Sequence, residues 1–321
     1  MLLRSKDIII ADAHCDTILE INKGKKIGIR SDKGHVDIPR MIEGNINIQF
    51  FAVFVEPQFK PHCALERTLH LIDDFFKEIE ENKAKIEIVI NFCNIDRILK
   101  NNRIAALLCI EGGEAIQEDL SLLRIFYRLG VRCLTLTWNQ RNAIGDGINE
   151  KPVGGLSNFG IEVIKEMNNL GMLIDVSHLN QGGFWDVIRY SEYPVIASHS
   201  NVYEICNHPR NINQKQIKAL AEKDGVICIT FVPFLLRKCF DTAEAEDVVT
   251  HIKYIKKLVG VDYIGIGSDF DGTESMPKGL EHVGKMPFLI ELLSKNGFKD
   301  SEIEKIMGGN IIRLLKRVLK G

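Results

Sequence analysis

Apolar residues in this chain gather in short, nearly unbroken runs rather than in strict alternation. Eight runs have the length of a strand: Asp7–Ala13, Ile46–Phe54, Ile104–Ile110, Val131–Thr137, Met172–Ser177, Pro194–Ser198, Gly225–Val232 and Asp262–Ser268. Continuous runs of Ile, Val, Leu and Thr mark strands covered on both faces, as in a parallel sheet between helices. Between the runs the apolar period becomes helical. The clearest case begins at Ser157, a good N-cap. Ile161, Ile164, Met167 and Leu170 then share one face, and Gly171 stands where a C-terminal glycine stop belongs. Further helices are expected at Leu65–Asn82, Leu120–Leu129, Gln214–Glu222, Ala243–Leu258 and Phe288–Leu293, with two short ones in Ser301–Leu319. The charged, glycine-containing stretch Lys23–Asp37 reads as a surface loop.

Eight strands alternating with helices predict an α/β fold, a (β/α)8 barrel of the TIM type. An open doubly wound sheet is the other arrangement. Its Gly-rich turn is missing, since His14-Cys15-Asp16-Thr17 follows the first strand. A ninth run, Ile86–Ile90, is either an inserted strand or the end of a helix. The 321 residues fit one barrel domain over residues 1–321 with insertions. The C-terminal helices, at about 288–319, are expected to pack on it.

Composition narrows the class. The net charge of −2 offers no bulk field for nucleic acid or an anionic membrane. No apolar run approaches the roughly 20 residues that span a bilayer. Charges between Met1 and Ile8 interrupt any signal-peptide core. The eight cysteines are scattered without a C-x-x-C pair and read as reduced thiols. The expectation is a cytoplasmic protein.

The chemistry lies in where the polar residues fall. The C-terminal ends of barrel strands carry active sites. Five predicted strand ends hold metal-ligand types: His14-Cys15-Asp16, Glu111, His178, His199 and Asp269. Each is weak alone, and His35-Val36-Asp37 is a second H-x-D in a loop with no strand before it. The conjunction carries the argument, because buried charge is costly unless paired or metal-bound. Residues i and i+2 of a strand share a face, so His14 and Asp16 can grip one ion. His178 and His199 can hold another, and Glu111 can bridge the two. Such ligands suit Zn²⁺, with Mn²⁺, Co²⁺ or Fe²⁺ as alternatives. Two ions sharing a water would make hydroxide available as nucleophile. Asp269 is then left for proton traffic. Cys15 should point to the other face.

At these residues the chain resembles the membrane (renal) dipeptidase family of zinc peptidases, family M19 of the metallo-dependent hydrolases. The similar stretches include Asp12-Ala13-His14-Cys15-Asp16-Thr17, Ile110-Glu111-Gly112-Gly113, Asp175-Val176-Ser177-His178, Ala197-Ser198-His199-Ser200, His208-Pro209-Arg210-Asn211 and Gly267-Ser268-Asp269-Phe270-Asp271-Gly272. They run in order over nearly the whole chain. The resemblance implies two Zn²⁺ per chain, with His14 and Asp16 on the first, His178 and His199 on the second and Glu111 bridging. It gives Asp269 the catalytic and substrate-amine role, and Arg210 the capture of a dipeptide's carboxylate. It also allows a homodimer. Two departures stand out. Trp138 occupies the position where mammalian members carry a substrate-contacting His, and Ile212-Asn213-Gln214 follows Arg210-Asn211 where the family tends to place an Asp. The reading is a zinc-dependent dipeptidase. Its rivals are a same-fold amidohydrolase acting on a non-peptide amide or lactone, and a catalytically silent metal-binding protein.

Overall fold

The computed structural model describes residues 8–320. Asp7 and the Met1–Arg4 end lie outside the described residues. Among the described residues nine strands form: β1 Ile10–Asp12, β2 Ile46–Phe54, β3 Ile86–Ile88, β4 Ile104–Glu111, β5 Val131–Thr135, β6 Leu173–Asp175, β7 Ile196–Ala197, β8 Val226–Ile229 and β9 Ile264–Ile266. Eight close a parallel barrel in the order β1-β2-β4-β5-β6-β7-β8-β9, with β9 paired back to β1. The ninth run is thus a strand, outside the barrel. It pairs with Ile104–Ala106 along the edge of β4 that β5 takes over from Leu108. Several strands are shorter than their apolar runs. The ladder stops where the chain turns its polar side chains into the barrel mouth.

The helices follow the local signals. Ser157 Oγ accepts the Gly160 N–H at 2.9 Å, and Gly171 ends that helix with φ +76°. Helices Ile38–Glu43, Phe92–Lys100 and Gln181–Tyr190 escaped the periodicity reading, although Asp37, Asn91 and Asn180 cap them. The Lys23–Asp37 loop is less superficial than expected. Ile27, Val36 and Asp37 are buried.

One end of the barrel is plugged. Helix Asn310–Val318 sets Ile311, Leu314, Leu315 and Val318 among the interior residues Ala11, Ile48, Leu107 and Val226. Asn310 donates to Val261 O and Ile264 O ahead of and in β9. Gly308 lies so close to β1 that a Cβ there would strike Ile9 O. The N-terminal ends of the strands are therefore filled, and the opposite mouth remains open for a site. All eight cysteines are free; five are buried, and Cys63, Cys93 and Cys239 are exposed. Among the described residues no helix is long and apolar enough to cross a membrane.

One buried histidine couples the fold to pH. His251 accepts the Val202 N–H at its Nδ1 and donates from Nε2 to Leu236 O, each at 3.0 Å. Burial pushes its pKa down to about 4, with the Leu236 contact opposing. The unfolded chain takes up the proton first as pH falls, so this stability is full above the ordinary pKa of 6.5 and is lost on the way down through 4. Between pH 7 and pH 5 the wild type should lose about 2 kcal/mol more than His251→Gln in urea titrations. Equal losses would contradict the assignment.

Candidate metal centre

The open mouth gathers all five expected ligands. Past the ends of β1 and β9 the backbones stay paired: Asp269 N–H donates to His14 O at 3.2 Å, and Asp16 N–H to Phe270 O at 2.9 Å. This sets His14 and Asp16 beside Asp269. His14 Nε2 lies 3.6 Å from Asp16 Oδ2, 3.8 Å from Glu111 Oε2 and 3.9 Å from Asp269 Oδ1. Glu111 ends β4 and turns its other oxygen, Oε1, to His178 Nε2 at 2.9 Å and His199 Nε2 at 3.4 Å. His14, Glu111 and His199 form one group able to hold a cation, and His14, Asp16 and Asp269 form another. Cys15 belongs to the hydrophobic core, as its alternating position requires. Among the described residues, His35 and Asp37 join no such group.

The imidazoles are oriented from behind. Asp175, fully buried at the end of β6, accepts from Thr135 Oγ and Ser198 Oγ, each at 2.6 Å, and from the N–H groups of Ser177 and Ser198. With the Ser198 proton spent on Asp175, Ser198 Oγ accepts from His199 Nδ1 at 2.8 Å. Asn139 Oδ1 accepts from His178 Nδ1 at 2.8 Å. Both rings thus carry their proton on Nδ1 and present a bare Nε2 to the mouth. On the other side Asp12 accepts from Ser268 Oγ at 2.6 Å and Ser268 N–H at 2.8 Å, and Ser268 Oγ lies 3.2 Å from His14 O, which fixes the backbone of His14 rather than its ring. The sequence alone assigns no role to Asp12, Asp175, Ser198, Ser268 or Asn139, although the first four lie in the stretches that resemble the family. A buried Asp ending an apolar run is the signal that could have found the first two.

Three non-glycine residues here adopt left-handed backbone: His178 (φ +64°), Asp269 (φ +66°) and Asp271 (φ +65°). Each such residue costs about 1–3 kcal/mol and persists only where its surroundings enforce it. The Asp269–Gly272 turn is enforced by the H-x-D loop. His35 N–H donates to Asp271 Oδ1 at 2.5 Å, Asp271 N–H returns to His35 Nδ1 at 2.9 Å, and Thr17 Oγ donates to Asp271 Oδ2 at 2.7 Å. Gly272 closes the turn, where a Cβ would land on Asp269 Oδ1 and Asp16 Oδ2.

Electrostatics separates the groups. Burial opposes charge on His14, yet Glu111, Asp16 and Asp269 hold its pKa well above the ordinary range. His178 and His199 are pushed well below it by burial, then by Arg210 and His14 for the former and by His14 for the latter. Burial would raise Glu111, but His14, His199 and Arg210 bring it down to about 2. Burial pushes Asp269 up to about 8; His14 opposes this, and Asp16 and Glu111 add to it.

Above these groups lies a cavity of about 450 Å³, bounded by Asp16, Glu111, Trp138, His178, Arg210 and Asp269 among others. Arg210 is buried and donates from Nη2 to His199 O at 3.2 Å. Among the described residues it forms no ion pair.

The chain matches the membrane dipeptidase family (peptidase family M19) over residues 4–320. It belongs to that family. It is 35% identical over 295 residues to the dipeptidase tcpJ of Claviceps purpurea, covering 89% of this chain and 69% of that protein. Two solved structures superpose on it with a TM-score of 0.91. The dipeptidase AC, a metallopeptidase of family M19, is 28% identical, with 98% of this chain and 99% of that one covered. A metallopeptidase from Rhodobacter sphaeroides, liganded with a phosphinate mimic of the dipeptide L-Ala-D-Ala, is 27% identical, with 97% and 99% covered. As a member of the membrane dipeptidase family the chain is a metal-dependent hydrolase of peptide bonds. Its mouth fits a divalent cation on its own terms. His14 Nε2 and Asp16 Oδ1 are buried with no hydrogen-bond partner, as a ligand atom awaiting an ion would be.

Proposed function

We propose that this protein is a dipeptidase that holds two zinc ions, with His14 and Asp16 on one, His178 and His199 on the other and Glu111 between them. The observation that carries the reading is two buried ligand atoms without a hydrogen-bond partner, His14 Nε2 and Asp16 Oδ1, the first of them 3.8 Å from Glu111 Oε2. A donor set of imidazole and carboxylate without thiolate supports zinc. Metal ions held by these residues would supply Lewis acidity for the scissile carbonyl and for a water nucleophile. Asp269 sits beside His14 and Asp16 and is placed to hold the proton of the attacking water and pass it to the leaving nitrogen.

Arg210 is placed to capture the substrate's carboxylate. A buried guanidinium with no carboxylate partner is costly, and a substrate carboxylate would meet its planar fork bidentately. This limits substrates to those whose free carboxylate lies one residue beyond the scissile bond. Arg210→Met should raise KM for Ala-Ala by tenfold to a hundredfold, on the order expected for a charge-assisted hydrogen bond. The ratio of Ala-Ala to Ala-Ala-amide turnover should collapse. An unchanged ratio would show that the carboxylate binds elsewhere.

Stripping the protein with a chelator and reloading it tests the whole reading. Hydrolysis of L,L and L,D dipeptides should vanish and return as zinc approaches two equivalents per chain. Lactones and cyclic amides, the substrates of same-fold amidohydrolases, should stay intact. Turnover of those compounds alone, or dipeptide turnover by the stripped protein, would overturn it.

A further inference from the structure

We infer that Phe54 and Trp138 form a rigid apolar shelf that selects dipeptides carrying a bulky apolar side chain; the inference rests on the dipeptidase reading. Phe54 is the last residue of β2, and Trp138 lies three residues beyond β5. Their ring centroids are 4.9 Å apart, and both rings border the cavity over the metal site. Trp138 also lies 6.0 Å from the ring of His178. The shelf therefore begins at the edge of the metal centre, within reach of a side chain next to the scissile bond.

The shelf is held from outside the cavity. Lys60 Nζ sits 5.1 Å from the centroid of each ring. Its other partner is Glu114 Oε1 at 2.9 Å, and the side chains of Lys60 and Glu114 are only 10% and 5% exposed. Lys60 does not border the cavity; it borders the neighbouring groove with Glu114. A cation shared by two aromatic rings and anchored by a buried carboxylate fixes the rings before a substrate arrives. Little ordering cost then remains to be met on binding.

The chemistry of this wall is one-sided. A phenyl ring offers no hydrogen bond, and an indole can only donate one. A polar substrate side chain laid on the shelf would lose water without full replacement, whereas an apolar one gains by the same transfer. Across the barrel, the residues after β8 supply a second apolar wall, Val232, Phe234 and Leu235. The polar floor and Arg210 lie between, where the peptide unit and carboxylate belong.

The test is a kcat/KM panel of X-Ala and Ala-X dipeptides, with X as Gly, Ser, Asp, Leu or Phe, for wild type, Trp138→Ala, Trp138→His and Lys60→Met. Thermal melts establish that each variant is folded. Wild type should favour Leu or Phe over Gly and Asp at one of the two positions by on the order of tenfold or more. Both Trp138 variants should lose most of that ratio at the same position, and Lys60→Met should lose part of it. Dipeptide turnover with an unchanged ratio in both Trp138 variants would overturn the inference alone. A preference for Asp that disappears in Lys60→Met would also overturn it, by making the ammonium the recognition group. No turnover of any dipeptide by wild type would remove the dipeptidase reading and this inference with it.

Discussion

Asp269→Asn should lower dipeptide turnover by roughly a hundred- to ten-thousandfold, the range for loss of a general acid–base, with metal content unchanged. The substitution keeps the size and one oxygen of the side chain and removes its ability to take up a proton. Asn tolerates the left-handed backbone that Asp269 adopts at φ +66°, so the turn should persist. The loops that hold that turn, through His35 and Asp271, are untouched. Steady-state kinetics beside metal analysis separates the outcomes. Unchanged turnover at full metal content would show that another group moves the proton. Loss of metal would show that Asp269 is chiefly a ligand, as its place in a group with His14 and Asp16 would permit.

Glu111→Gln should be more damaging, and through metal rather than protons. Among the described residues Glu111 is the one carboxylate with an oxygen toward each half of the site: Oε2 faces His14, and Oε1 faces His178 and His199. His14, His199 and Arg210 hold it ionised down to about pH 2 against the cost of its burial. A neutral amide leaves Arg210 without that charge and puts an N–H₂ group where an oxygen lone pair is needed. The expected result is fewer than two ions per chain and a rate loss exceeding the roughly 10- to 100-fold that follows removal of a group behind a ligand. Full metal occupancy in the purified variant would contradict the bridging assignment.

The fold was legible because parallel strands buried on both faces leave continuous apolar runs. Ile104–Ile110 became Ile104–Glu111, and Ile46–Phe54 was recovered whole. Pro194–Ser198 kept only Ile196–Ala197, because apolarity marks burial and the ladder ends sooner. The site was legible as residue types at strand ends. What lies behind it was not. The Asp175–Ser198–His199 relay joins residues 23 positions apart, and Asp12 meets Ser268 across 256. No local period encodes such pairings. His35 illustrates the same limit: its hold on Asp271 spans 236 positions. Trp138 was visible as a departure from the family, whereas the rings and cation around it come from β2 and the loop after it.

Anomalous diffraction from crystals of the zinc-loaded protein tests the central claim most directly. Two zinc peaks should appear roughly 3.5–4 Å apart, one on His14 and Asp16, the other on His178 and His199, with Glu111 touching both. Zinc bound away from Glu111, or a single peak at full zinc loading, would contradict it.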